Sequence, residues 1–315
     1  MIVVKLYSTE HTDDIFSYEI IESQIINLVI SSDQSPDHVI SPRVLLIRPN
    51  NIVWEYFHSR EISREDDLDP EFRKVLARKL ARFNATIVPV KRIDHKQEIR
   101  TIFNKWLSQA MIDSVYNGTL NAVFHELDLK DNIKSNNLRI EANYVRDLIL
   151  AIQNPMIVFS HKDLTHANIL RSLDYDNVDN DNGMKTIKNE HIRFIDFDLS
   201  GYFYLGCDIG RYFADCTHNE FHGDDLIPDS IMLEFIEYYL EECREIFGPL
   251  FGTSDKNNSS KASTVNCETI LIEAKIFVLF SYWMDIIFTI WMAEKYSRSN
   301  QIEKMKQFVV CETIC

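Results

Sequence analysis

The chain opens on a short apolar run carrying one lysine, Ile2-Val3-Val4-Lys5-Leu6-Tyr7, which alternates like a strand. The period then changes. Over residues 17–30, Ile20, Ile21, Ile25 and Leu28 recur at helical spacing. Residues 44–47 and 51–57 read as two strands joined by the turn-forming run Arg48-Pro49-Asn50-Asn51. From Pro70 the pattern becomes helical. Residues 70–85 place Phe72, Val75, Leu76, Leu80 and Phe83 on one face. Residues 98–111 and 137–152 read similarly, and Pro155 stops the latter before an apolar strand at 156–159. An Asp/Asn-rich stretch, 174–190, predicts a loop or hairpin tip between two strands. Helices are predicted over 229–247 and 268–296, separated by a polar linker at 248–264. No internal repeat stands out.

One stretch of this pattern invites a membrane reading. Residues 276–292 are rich in Phe, Ile, Trp and Leu, but Asp285 sits near the middle and the run is slightly short for a bilayer. A charge at the bilayer centre costs about 2.5–3.5 kcal/mol, so a buried core helix is the expectation. The start of the chain shows no secretory apolar core.

Composition changes the picture little. The 315 residues, 45% apolar and 26% charged, suit one or two globular domains. A formal charge of −15 argues against nucleic acid as a partner, because phosphate backbones need a basic patch. The six cysteines form no paired C-x-x-C pattern, so their spacing predicts no zinc site, and reduced thiols in a cytoplasm are expected.

The chemistry is concentrated in two segments. One is Phe159-Ser160-His161-Lys162-Asp163-Leu164-Thr165-His166-Ala167-Asn168, the other Phe194-Ile195-Asp196-Phe197-Asp198. Reduced to side chains, they read His-x-Asp-x-x-x-x-Asn, then an apolar strand ending in Asp. That is the set a phosphotransferase uses to deprotonate a hydroxyl and hold a metal–nucleotide. An Asp on a loop after a strand can accept a proton, and an Asn and an Asp can offer oxygens to a hard cation such as Mg²⁺. Either segment alone would pass for a chance loop and a strand-end aspartate.

The second segment continues as Leu199-Ser200-Gly201-Tyr202-Phe203-Tyr204-Leu205-Gly206-Cys207-Asp208-Ile209-Gly210-Arg211-Tyr212-Phe213. This run closely resembles the choline/ethanolamine kinase family, which carries a similar Ile-Asp-Phe-Glu, a Tyr-x-Tyr and an Asp-Ile-Gly-x-x-Phe. Protein kinases would show Asp-Phe-Gly here, and aminoglycoside phosphotransferases lack the Tyr-x-Tyr continuation. The resemblance extends over nearly the whole chain. It implies an α+β, bilobal protein-kinase-like fold, with a small, incomplete strand-rich N-lobe over 1–57 and a large mainly helical C-lobe over 58–315. The hinge falls at 55–57.

By the same resemblance, Asp163 is the general base, and Asn168 and Asp196 are the metal ligands. Lys5 reaches the nucleotide phosphates, Glu22 holds that lysine, and Glu55, Tyr56 and Phe57 receive adenine. Asp198, Tyr204, Asp285 and Phe288 line the amine site, where carboxylates and aromatic faces suit an alkylammonium. Trp283, Phe288 and Trp291 at helical spacing are more often core than cage, and Asp208 reads at least as well as an anchor for the Ile209-Gly210 turn as a ligand. The implied reaction is ATP- and Mg²⁺-dependent phosphorylation of ethanolamine or choline, the first step of phospholipid headgroup synthesis. It would be carried out in the cytoplasm without stable membrane insertion, with a homodimer left open.

Several positions depart from the family pattern. The first glycine is Gly118, so the glycine-rich loop over the phosphates has no place in this chain. That implies an N-terminally truncated chain, or a protein working without the loop with weakened ATP binding. Lys162 stands where Asn or Gly is usual, Arg211 where Asn is common, and Asn84 where His is usual. Asp285 replaces an expected cage Trp, which tilts the reading toward a primary ammonium and hence ethanolamine. The rival expectation is a catalytically impaired homologue acting as a binding or regulatory protein.

Overall fold

A computed structural model describes residues 1–7, 14–106, 138–176, 187–218, 227–249, 251 and 265–298. Strand β1 (Ile2–Leu6) pairs antiparallel with β3 (Asn51–Glu55), which pairs antiparallel with β2 (Val44–Arg48). The sheet order is β1-β3-β2, so β1 is an edge, and Ile2, Val3, Val4 and Leu6 are exposed on it. Helix α1 (Asp14–Ile30) lies beside this sheet and begins earlier than its apolar spacing suggests. The Pro49-Asn50 turn joins β2 and β3 as the sequence predicts.

Two elements escaped prediction. Strand β4 (Ser59–Glu61) is polar, and α2 (Arg64–Leu68) is a single turn without apolar periodicity. β4 exists through pairing with β6 (Ile169–Ser172), whereas α2 starts on a local capping box in which the Asp66 carboxylate accepts from Ser63 N–H, and Arg171 on β6 pairs with the same carboxylate. Helix α3 (Pro70–Ala85) keeps its predicted bounds. Asp69 caps it by accepting from Glu71 N–H, and Pro70 fills the first turn, where no N–H partner exists.

Helix α4 (His95–Trp106) starts three residues before its predicted start at 98, and the predicted stretch 107–111 lies outside the described residues. Then come α5 (Leu138–Ala151), β5 (Ile157–Ser160), β6, the short α6 (Leu173–Asp176) and β7 (Ile192–Phe194). β6 and β7 pair antiparallel, so residues 174–190 do bridge two strands, with 177–186 outside the described residues. β8 (Gly201–Tyr204) pairs with β5 and runs into α7 (Gly206–His218). Helices α8 (Asp229–Phe247) and α9 (Cys267–Arg298) complete the described chain; most of the predicted linker, 252–264, is outside it.

Helix α9 packs on α7 and α8, and Trp283 stacks on Phe103 with centroids 4.3 Å apart. Among the described residues no helix is long and apolar enough to cross a membrane. Gly210 lies inside α7, not in a turn. A Cβ there would meet the Ala274 carbonyl and Phe277 Cβ at 2.6 Å, so the two helix backbones approach only because the side chain is missing. The main core runs through Phe72, Leu76, Phe83, Phe159, Phe194 and Phe235. Phe83 at its centre touches the rings of Phe159, His161, Phe194 and Phe197, directly beneath the two motif segments.

Candidate active site

β5 delivers the first motif to the end of a strand, and a buried carboxylate fixes it there. Asp208, in the first turn of α7, is fully buried and accepts four hydrogen bonds. The donors are Asn84 Nδ2 (2.9 Å), Ser160 Oγ (2.8 Å), His161 N–H (3.0 Å) and Lys162 N–H (2.8 Å). A buried charge is tolerated only with such satisfaction. Asn84 also donates to the Phe159 carbonyl (2.8 Å) and accepts from Tyr239 Oη (3.0 Å), so its amide is fully used. The expected anchor of a local turn is therefore the anchor of the loop that precedes Asp163.

Lys162 adopts a left-handed φ of 65°. That accounts for the Asn or Gly usual at this position, since both tolerate such a backbone better. Its ammonium pairs with Glu98 at 2.7 Å and lies over the Phe203 ring. His161 donates through Nε2 to the Ile195 carbonyl (2.9 Å), and Ile195 N–H donates to the Asn168 carbonyl (3.1 Å). These two bonds lay the motif segments side by side.

Asp163 and Asn168 meet as expected: Asn168 Nδ2 donates to the Asp163 carboxylate (3.1 Å) and carbonyl (2.8 Å). The amide so oriented keeps its oxygen for a cation. Arg211 Nε donates to the other Asp163 oxygen at 3.3 Å, and its terminal nitrogen pairs with Asp285 at 2.6 Å. Burial alone would push the Arg211 pKa down, but Asp285 and Asp163 raise it, so the guanidinium stays charged. Asp285 thus reaches the site, but its carboxylate is already engaged by a cation of the same chain. The tilt toward a primary ammonium rested on a free carboxylate there, and this pairing removes that ground.

In the second motif, Asp196 takes a left-handed conformation (φ 63°), turning the chain sharply after β7. Lys5 Nζ bonds Asp196 (2.6 Å) and Asp198 (2.5 Å). Burial works against the charge, yet the two carboxylates outweigh it and raise the lysine pKa. Lys5 therefore does come to the second motif, but Glu22 does not hold it. Glu22 is exposed, and its neighbour Ser23 faces inward, donating to Asp198 (2.8 Å) while accepting from Tyr7 Oη (2.9 Å). The helix phase of α1 decides this, and no signal in the sequence marks Ser23. Asp198 meets Lys5 and Ser23 rather than Arg211 and Asp285.

The expected hinge residues begin on Glu55, the last residue of β3, and continue beyond it. Glu55 N–H donates to the Arg43 carbonyl (2.9 Å) and Tyr56 N–H to the Met1 carbonyl (3.3 Å), while Arg193 covers the Phe57 ring. Tyr204 is core. It pairs with Ile157 at the end of β8 farthest from Ser160, is fully buried, and packs on His95 and Phe277 with its hydroxyl lacking a partner. Burial raises its pKa far above the phenol range. Phe288 is 46% exposed, so it belongs to the surface of α9 rather than to its packed face.

The catalytic-loop geometry set against a small sheet and a helical body defines a kinase-like fold. Solved structures agree. A choline kinase from Cryptosporidium parvum superposes with a TM-score of 0.59 at 14% identity, covering 99% of this chain and 84% of that one. An ethanolamine kinase from Plasmodium vivax gives 0.51 at 18% identity, covering 99% and 75%. The choline/ethanolamine kinase family profile matches residues 1–309, and the chain belongs to that family. It is 26% identical over 257 residues to a choline/ethanolamine kinase of Rattus norvegicus, covering 78% of this chain and 56% of that protein. It is 25% identical over 288 residues to ethanolamine kinase 1 of Homo sapiens, covering 85% and 56%. The chain thus spans about half the length of these curated relatives.

Proposed function

We propose that this chain phosphorylates the hydroxyl of ethanolamine or choline with ATP and Mg²⁺, the first step in making the corresponding phospholipid headgroup. The observation that carries the reading is the placement of Asp163 beside Asn168, on a loop tied to Asp208 at its start and to Ile195 at its side. Asp163 would take the hydroxyl proton as the oxygen bonds to the γ-phosphorus and the bond to ADP breaks. Asn168 and Asp196 offer the oxygen donors a hard cation prefers, so the residues present fit magnesium. Bound magnesium would neutralise the charge building on the transferred phosphate. Lys5 would then exchange its carboxylate partners for phosphate oxygens. Incubating the purified chain with Mg-ATP and either amine should release phosphoethanolamine or phosphocholine. Asp163→Asn should lower kcat by about 10²–10⁴ with the thermal midpoint unchanged.

One observation favours a second reading, a homologue that binds without turnover. Lys5 pairs with Asp196 and Asp198, and Arg211 with Asp163 and Asp285, so each of the four site carboxylates already has one of the chain's own two cations beside it. Absence of product from both amines, with wild type and Asp163→Asn indistinguishable, would overturn the kinase reading in favour of this one.

A further inference from the structure

A second cluster of ligand-type side chains lies outside this site, on the opposite side of the 3-10 turn His166–Asn168. It joins Asp67 from α2, His166 from the turn and Cys216 from α7, each contributing one ligand atom within 4.8 Å of the others. His166 Nε2 is 3.0 Å from Asp67 Oδ2 and 3.6 Å from Cys216 Sγ. Zinc bonds of ~2.0–2.3 Å at the tetrahedral angle place ligand atoms about 3.3–3.6 Å apart.

Two further observations point to a ligand. Asp67 Oδ2 is buried and faces the His166 ring nitrogen at 3.0 Å and the Cys216 sulfur, the two other ligand-type atoms of the cluster. The outer contacts are also those of a metal centre: His166 Nδ1 faces Asp215 at 3.6 Å, and Tyr212 Oη donates to Asp67 Oδ1 at 2.7 Å. A cavity of about 340 Å³, lined by Asp67, Tyr212, Cys216, Arg64, Arg73 and Ile231, opens beside the cluster and leaves room for a water as fourth ligand. Spacing along the sequence could not reveal this group, because its members are separated by 99 and 50 positions.

The geometry points to a zinc-class divalent cation held by Asp67, His166 and Cys216, a site separate from the magnesium of phosphotransfer and independent of whether the chain is a kinase. On binding, Cys216 loses its thiol proton to solvent and the sulfur bonds the metal. Without metal, burial raises the Cys216 pKa and keeps the thiol neutral, while Asp67 and Asp215 overcome burial to raise that of His166.

The test uses the full chain carrying Cys311→Ser and Cys315→Ser, to remove the thiols of the C-terminal segment. After chelation it is titrated with zinc and with cobalt. One zinc per chain, a rise in thermal midpoint and a near-ultraviolet thiolate-to-cobalt absorption are expected. Cys216→Ser should abolish the absorption, and it and His166→Gln should each weaken zinc at least tenfold. Asp196→Asn should leave zinc binding unchanged, which separates this site from the phosphotransfer metal. The proposal is overturned if the parent shows neither the absorption nor the thermal shift, a readout that needs no substitution at the site. It is also overturned if folded Cys216→Ser and His166→Gln bind zinc as the parent does, which would leave a buried ion pair only.

Discussion

Asp208 and the pair Asp196/Asp198 lie within thirteen residues of one another and carry the same charge, yet their surroundings are opposite. Asp208 has no exposed surface and four donors; the side chains of Asp196 and Asp198 are 50% and 40% exposed and share one part-exposed cation, Lys5. The first arrangement is a fixed joint: it costs desolvation and is worth having only if every donor stays in place. The second is exchangeable, because a surface ion pair in high dielectric contributes little and releases easily. If the kinase reading holds, the site needs both, a rigid loop for the base and loosely held carboxylates for an incoming cation.

The sharpest way to break this comparison is to remove each charge. Asp208→Ala leaves four donors facing an apolar gap and should cost about 3–5 kcal/mol, read as a large fall in denaturation midpoint. Asp196→Asn should change stability by no more than ~0.5 kcal/mol while reducing kcat at least a hundredfold. Comparable losses of stability in the two variants would end the distinction between joint and exchangeable pair.

Glu273 supplies a pH test of buried charge in the same region. Its carboxylate, on α9, accepts from Gly206 N–H at 2.8 Å at the start of α7, and burial pushes its pKa up to about 7. The folded state therefore binds this proton more tightly than the unfolded chain does. The stability so gained is complete below the ordinary Glu value near 4.5 and is lost as pH rises through about 7. The loss should reach about 3 kcal/mol across that window, and Glu273→Gln should flatten it. A parent whose stability rises between pH 5 and 7 by the same amount as the variant's would sink this.

A smaller effect concerns Arg211, which pairs with Asp163 and Asp285 as Lys5 does with Asp196 and Asp198, but is largely buried where Lys5 is accessible. If the kinase reading holds, a substrate ammonium competes with this guanidinium for Asp285. Arg211→Asn should then lower KM for the amine about tenfold, equivalent to ~1.4 kcal/mol. A higher KM would mean that the guanidinium holds the substrate or the base in place.

Much of this was legible along the chain. Helices 70–85 and 229–247 keep their predicted bounds, because a capping Asp, a Pro at the first turn and a terminal Gly are local signals. β4 and α2 were not legible, since their residues are polar and without apolar periodicity, and they are held by pairing with β6 and by Arg171 on that strand meeting Asp66. Within the site, Asp163 and Asn168 lie five residues apart and their meeting follows from one turn. Ser23 reaches Asp198 across 175 positions, and Arg211 reaches Asp285 across 74. No local pattern encodes such pairs.

By itself the sequence determined the side chains available: an Asp and an Asn five residues apart, strand-end aspartates, a lysine and an acidic chain, at spacings that strand and turn geometry bring together. Tertiary structure alone decided what each charge does. It buried Asp208 and left Asp196 open, turned Ser23 inward and Glu22 out, sent Tyr204 into the core, and set Arg211 between Asp163 and Asp285. The reason is physical: residue type sets which hydrogen bonds and charges are available, but burial and the partners brought from distant segments set their worth.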